Sequence, residues 1–171
     1  MLDGQFRTFF AKKYIGAEAD PNFYQEDILK ICRLFNVTAL GADSGDGIAQ
    51  NTYFKLELGP NKVIVFKAHD SVKKPVQYNE PSREWTFNRT KALGHFFTSI
   101  KRKKVKFPTW ELFKPFAQDI LAVYIDYRSR SRDVYYDHAE DMPDDFVHAW
   151  VNSYLSFSLV TGRSVEFSAS T

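Results

Sequence analysis

The sequence has little cysteine, no long apolar run and no recognisable leader. With Cys32 alone, the chain can form neither an internal disulfide nor a cysteine-based zinc site. No apolar run reaches the roughly 18 residues of a membrane-spanning helix. No charged segment followed by an apolar one opens the chain, as it would in a secretory signal. These absences predict an intracellular protein without a membrane partner, in which Cys32 is a small core residue.

Motifs of two common enzyme classes are also absent. No G-x-x-x-x-G-K-[ST] segment occurs, so we expect no ATP site of that kind. Ser44 lacks the G-x-S-x-G setting of a hydrolase nucleophile, and no Ser-His-Asp signature is present. Any catalysis must therefore depend on other groups.

What the chain has is enough apolar and aromatic material for a core. Its 171 residues are 44% hydrophobic and 16% aromatic, which argues against disorder and suits one domain. We predict a domain over 1–160 and a flexible C-terminal tail over 161–171, which is rich in Ser and Thr. The net charge of +2 says little about partners, but local basic patches beside an acidic region at 137–145 are compatible with polyanion binding.

Hydrophobic periodicity predicts alternating helices and strands. The middle of the chain runs helix, strand, helix, strand, which is typical of an α/β layer. The predicted strands are 5–15, 37–42, 63–66, 123–127 and 134–138. The predicted helices are 22–35, 48–58, 88–100, 110–120 and 144–157, with a short segment at 105–107 before Pro108. Residues 69–86 are predicted to be a long loop. Because the chain opens almost inside an element, with Asp3-Gly4 as a turn, we expect an earlier strand to be missing.

Acidic residues stand at the ends of predicted elements. Asp43 follows a buried strand, Asp46 lies in the glycine turn after it, and Asp144 and Asp145 begin the last helix. Taken alone, the helix pair suits capping, with Asp141 as a possible cap, and the glycine segment suits a turn. Taken together, acids that converge from separate elements need a cation to neutralise them, and Mg²⁺ or Mn²⁺ prefers oxygen ligands.

Other polar residues have two interpretations each. His138 either lines such a site or terminates a strand, whereas His148 is expected to pack or cap. The basic segments are either solvated element ends or phosphate-binding patches that follow a DNA backbone. The residues concerned are Lys101, Arg102, Lys103, Lys104 and Lys106 after one helix, and Arg128, Arg130 and Arg132 at the tip of the predicted hairpin.

The order of elements and several short motifs resemble the C-terminal nuclease domain of a tailed-phage terminase large subunit. The resemblance covers about residues 5 to 157. Its strongest part is Asp144-Asp145-Phe146-Val147-His148-Ala149, which precedes an apolar helix. The earlier motifs, in chain order, are Asp43 with Gly45 and Gly47, Arg89-Thr90-Lys91-Ala92-Leu93, and Val105-Lys106-Phe107-Pro108. The resemblance implies an RNase H-like fold with a mixed central sheet flanked by helices. It also implies a two-metal Mg²⁺ or Mn²⁺ endonuclease, a hydrolase that cuts concatemeric viral DNA in the host cytoplasm alongside other terminase and portal components.

By this resemblance Asp43 matches the second acidic ligand, Asp145 the last, and Asp144 its neighbour. Arg89 or Lys91 would lie on the helix that faces double-stranded DNA. The first acidic ligand of the family lies on an earlier strand, and the ATPase motor precedes the nuclease. We expect both to be absent here, which leaves activity open. The alternatives are a DNA-gripping or docking module without catalysis, and another RNase H-like nuclease such as a resolvase or a transposase-type enzyme.

Overall fold

The computed structural model describes residues 5–45, 47–127 and 134–167. Beside a short 3-10 helix at Gly16–Ala19, these residues form five α-helices and eight short strands. The helices are α1 (Pro21–Leu34), α2 (Ile48–Leu58), α3 (Arg89–Lys101), α4 (Trp110–Leu121) and α5 (Asp145–Val160). The strands are β1 (Phe6–Arg7), β2 (Leu40–Asp43), β3 (Val63–Ala68), β4 (Val76–Asn79), β5 (Glu84–Phe87), β6 (Val105–Lys106), β7 (Val123–Tyr127) and β8 (Val134–His138).

The main sheet is mixed and has the strand order β2-β3-β5-β4. Strand β3 pairs in parallel with β2 and β5, and β4 pairs antiparallel with β5. Two further pairs lie outside it: β1 with β6 in parallel, and β7 with β8 antiparallel. The predicted α/β class, with mixed sheets flanked by helices, is therefore confirmed.

Helix α5 is the central packing element of the larger core. Its inward side chains Val147 and Leu155 are fully buried and meet Phe66 from the sheet and Phe96 from α3. A smaller cluster around Leu29, Phe54, Val63 and Val65 joins α1 and α2 to the outer side of β3. The five predicted helices and the β7–β8 pair are confirmed, and Cys32 is buried as expected. Across the described ranges, no helix combines the length and apolarity needed to span a bilayer.

The predicted strand over 5–15 is wrong beyond its first residues. Only Phe6 and Arg7 are paired as a strand, and the Thr8 N–H donates the last backbone bond, 2.8 Å to the carbonyl of Lys106. The apolar alternation that suggested a strand has another cause. Phe9 and Phe10 leave the sheet and pack on one ring, Phe35, which caps the end of α1.

The strand predicted from residue 37 begins at Leu40. Asn36 takes a left-handed conformation (φ 47°), and the Val37 N–H still bonds to the carbonyl of Cys32 in the preceding helix. The first apolar residues therefore complete the end of α1. Within the described sheet β2 is an edge strand, which explains why it is half-buried instead of buried.

The long loop predicted over 69–86 is also wrong, because it contains most of the β4–β5 hairpin. The Tyr78 and Trp85 rings pair across the strands at 5.1 Å between centroids. The connecting turn closes through an Arg83 N–H bond to the Glu80 carbonyl (3.3 Å), with Arg83 at φ 54°. One face of the hairpin, with Val76, Trp85 and Phe87, packs on the larger core, and the other face is polar. The alternation is short, so the polar residues around it hid the strand pattern.

The tail begins after Val160, where α5 ends. Val165 and Phe167 return to pack on the larger core, and the Phe167 ring lies 5.9 Å from that of His95. Residues 168–171 of the predicted flexible tail lie outside the described residues.

Candidate functional site

An open cleft of about 480 Å³ lies where the end of β2 meets the first turns of α5. The α5 residues that line it follow one another at helical spacing, so they share one face of the helix. The lining residues are Gly41, Asp43 and Ala68 from the sheet, and Asp145, His148, Ala149 and Asn152 from α5.

The cleft has its shape because Gly41 allows α5 to approach the sheet closely. A Cβ at this position would lie 2.6 Å from the carbonyl oxygen of Asn152 and would also collide with the Ser156 hydroxyl. Only a residue without a side chain fits such an approach. The Ser156 hydroxyl meanwhile donates 2.8 Å to the Asn152 carbonyl, which fixes its position.

Asp43 is held at the sheet side of the cleft by its own loop. Its carboxylate Oδ2 accepts from the Gly45 N–H (3.1 Å), and its carbonyl accepts from the buried Asn51 amide (2.7 Å). The prediction that Asp43 ends a strand is confirmed. Asp46, the accessory candidate in the same turn, lies outside the described residues.

Asp145 is the first residue of α5 and lines the opposite side of the cleft. Acidic residues are common in the first turn of a helix, where the helix dipole places partial positive charge. The structure thus brings Asp43 and Asp145 to one cleft. Within the described ranges, no three His, Cys, Asp or Glu side chains are grouped closely enough to hold a metal ion by themselves.

Asp144, the third predicted acid, is not among the cleft residues and belongs to an ionic cluster. Its Oδ2 lies 2.9 Å from His148 Nε2, 3.6 Å from Arg89 Nη2 and 3.9 Å from His138 Nε2. Burial would raise the pKa of Asp144, but the His148 hydrogen bond and the charges of His148, His138 and Arg89 outweigh burial, so the pKa is lowered. Asp144 therefore stays ionised at neutral pH.

Capping of α5 differs from the expectation. Asp144 occupies the N-cap position, but its side chain accepts no backbone N–H of the helix, and Asp141 is not the cap. The acceptor is Asp119 of α4, whose Oδ2 receives the Phe146 N–H at 3.0 Å. Sequence reasoning missed Asp119, whose only signal was a carboxylate inside the apolar pattern of a predicted helix.

His138 and Arg89 both face inward. His138 Nδ1 lies 2.9 Å from the carbonyls of Ala139 and Met142, so it carries a proton. The Ala139 bond, with Asp144 nearby, raises the pKa of His138. Arg89 Nη1 donates to the Tyr136 carbonyl (2.7 Å). His138 thus ends β8 and also faces Asp144, and the Arg89 guanidinium holds the hairpin against α3.

The remaining basic candidates are surface residues. Lys91 is exposed on α3, and Lys101, Arg102, Lys103 and Lys104 are exposed where α3 ends. Lys103 adopts φ 55°, and the Lys104 N–H bonds to the Ser99 carbonyl (2.8 Å), so this basic turn has a defined shape. Arg128, Arg130 and Arg132 lie outside the described residues, and DNA binding by all of these residues stays a prediction.

Chemically, the cleft offers two carboxylates, an imidazole and a carboxamide from facing elements. Oxygen donors of this kind suit a hard divalent cation and, through it, a phosphate group. His148, expected to be a packing or capping residue, is instead a cleft residue whose ring is oriented by Asp144.

No protein-family model, no curated protein and no solved structure matches this chain.

Proposed function

We propose that this chain is a metal-dependent DNA endonuclease domain, RNase H-like in fold, from a viral genome-packaging terminase. The observation that carries the proposal is the shared cleft of Asp43 and Asp145. One carboxylate ends a strand that is paired in parallel, and the other begins the helix packed on that strand. In open α/β sheets, ligands bind beyond the carboxyl ends of the strands, which is where this cleft lies.

The residues present fit one divalent ion. Mg²⁺ keeps several waters and is commonly held by one or two carboxylates together with substrate phosphate oxygens. Asp43 and Asp145 would be the protein ligands, and the Asn152 amide and the His148 ring also line the cleft. A bound ion would supply charge neutralisation at the phosphate and a more acidic water. A second ion, as in the two-metal scheme, requires ligands beyond those that the described residues bring to the cleft.

The rest of the chain would position the DNA. The exposed basic turn at 101–104 offers phosphate contacts whose strength falls with salt, because binding releases counterions. Asp144 takes no part as a ligand in this scheme, since its carboxylate is already engaged with His148 and Arg89. Its role is to orient His148 at the cleft wall.

The deciding experiment is Mn²⁺-dependent nicking of supercoiled plasmid by the Asp145→Asn variant. We expect at least about a 100-fold loss of rate, since even partners outside the ligand shell are worth 10–100-fold. Asp141→Asn is the matched control, because it removes the same charge from an exposed loop residue outside the cleft. Circular dichroism shows whether both variants fold, and an unchanged nicking rate in folded Asp145→Asn refutes the proposal.

A second function, DNA gripping or docking without catalysis, is favoured by one observation. The exposed basic turn at 101–104 can contact DNA phosphates without any metal ion. A gripping module would bind duplex DNA without metal, lose affinity steeply with salt, and cut nothing with any divalent ion. A gel shift with and without Mn²⁺, run beside the nicking assay, separates the two functions.

A further inference from the structure

Asp119 is a buried carboxylate that links three separate parts of the chain. It lies on α4 and is 1% exposed. Its Oδ1 is 2.7 Å and its Oδ2 3.0 Å from the Nζ of Lys13, which belongs to the irregular segment after β1. The same Oδ2 accepts the Phe146 N–H of α5 at 3.0 Å. Both oxygens are therefore used.

The bond to α5 acts on the residue that faces the cleft. The Phe146 N–H belongs to the peptide group that joins Asp145 to Phe146, so holding this N–H fixes the backbone rotation just after the Asp145 Cα. The first N–H groups of a helix have no partners within the helix. Since the Asp144 side chain caps none of them, the orientation of this turn depends on Asp119.

Contact between α4 and α5 does not itself require Asp119. The Phe113 and Phe116 rings of α4 already lie 5.4 and 5.5 Å from the Phe146 ring, so the two helices would stay together without Asp119. An ion pair with one buried partner, such as Asp119 with Lys13, is an inefficient source of stability, because an apolar residue of similar volume often stabilises as well or better. Its directional hydrogen bonds, in contrast, specify one geometry.

We propose that Asp119 and Lys13 are a positioning pair that fixes the first turn of α5 and thereby aims the Asp145 carboxylate into the cleft. This inference rests on the proposed metal-binding function of that cleft. Lys13 holds and neutralises the carboxylate, and the carboxylate holds the peptide group after Asp145. Neither residue lines the cleft itself.

The test compares the full-length wild type with Asp119→Asn, Lys13→Met and Lys13→Arg. We expect Asp119→Asn and Lys13→Met to weaken Mn²⁺ binding by about 10-fold or more, as for other residues that orient ligands. They should also speed hydrogen exchange at the Phe146 amide. Lys13→Arg keeps the positive charge and should restore most of the affinity. Lys13→Met retains the acceptor at 119 and keeps the test usable if Asp119→Asn does not fold.

Leu29→Ala is the control for general destabilisation. Leu29 belongs to the smaller core cluster and does not line the cleft, so its loss should lower the melting temperature while leaving Mn²⁺ affinity and Phe146 exchange unchanged. Wild-type affinity and exchange in Asp119→Asn would overturn the inference. If the wild type itself binds no Mn²⁺, the proposed function fails, and the exchange data still decide whether Asp119 fixes this turn.

Discussion

The close approach of α5 to β2 at Gly41 can be tested with one added methyl group. In Gly41→Ala, the new Cβ would sit 2.6 Å from the Asn152 carbonyl oxygen and against the Ser156 hydroxyl. Real Cβ contacts essentially never fall under 3.0 Å, so the backbones must separate by at least about 0.4 Å. The serine can rotate away, but the carbonyl oxygen is part of the helix and cannot.

The expected cost is substantial. Separating two packed surfaces by roughly 0.5 Å forfeits about a quarter of their dispersion energy, and overpacking of a close contact costs about 1–3 kcal/mol. Because the obstacle is backbone, we expect about 2–3 kcal/mol for Gly41→Ala. For a domain of this size that corresponds to a fall in melting temperature of about 5–10 °C.

The assay is thermal and urea unfolding of three variants beside the wild type. Adding Ser156→Ala to Gly41→Ala should recover only the part of the loss due to the side chain, since the Asn152 carbonyl remains. Gly47→Ala is the control, because its Cβ would meet nothing closer than 3.5 Å and should cost about 1 kcal/mol or less. A Gly41→Ala variant as stable as the wild type would refute this account of the β2–α5 contact.

Two further predictions concern α3. Asn88→Ala should cost about 2 kcal/mol in urea unfolding, because the buried Asn88 side chain accepts from the Lys91 N–H at 2.8 Å and donates to two loop carbonyls. Thr109→Ala, the control at an N-cap without a side-chain bond, should cost about 0.5 kcal/mol or less. Equal costs for the two variants would contradict the capping role of Asn88. Burial, with a smaller contribution from the charge of Lys104, lowers the pKa of His95. Below about pH 6.5, therefore, the unfolded chain binds a proton at His95 more readily than the folded chain does, and the stability of the fold decreases as the pH falls. His95→Gln should therefore lose less stability than the wild type between pH 7.5 and 5.5, and an equal or greater loss would show that His95 is not the group responsible.

The elements with a strong helical period could be predicted closely from sequence. For α2 the predicted and observed bounds coincide, because apolar spacing and a terminal Gly59-Pro60 both act locally. The failures occur where tertiary contacts decide. Phe9 and Phe10 look like strand residues but pack on the end of a helix. The β4–β5 hairpin has an apolar face, but each of its strands is only four residues long, which is too short for the alternation to stand out from the polar residues around it.

The candidate site was partly predictable for the same reason. Strand and helix ends are local features, so Asp43 and Asp145 could be placed at element ends from sequence alone. Which of two adjacent acids faces the cleft depends on helix phase and on neighbours that are distant in sequence. Asp144 turns toward Arg89 and His138, a choice that spacing within its own segment does not encode.

The link between Lys13 and Asp119 also bears on the order in which the domain assembles. The two residues are 106 positions apart, so their contact closes a very long loop of chain. The entropy of such a closure is recovered only after the intervening helices and strands have docked. We therefore expect the turn that presents Asp145 to be among the last parts of the molecule to be locked, so that the cleft becomes complete only when the whole domain has formed.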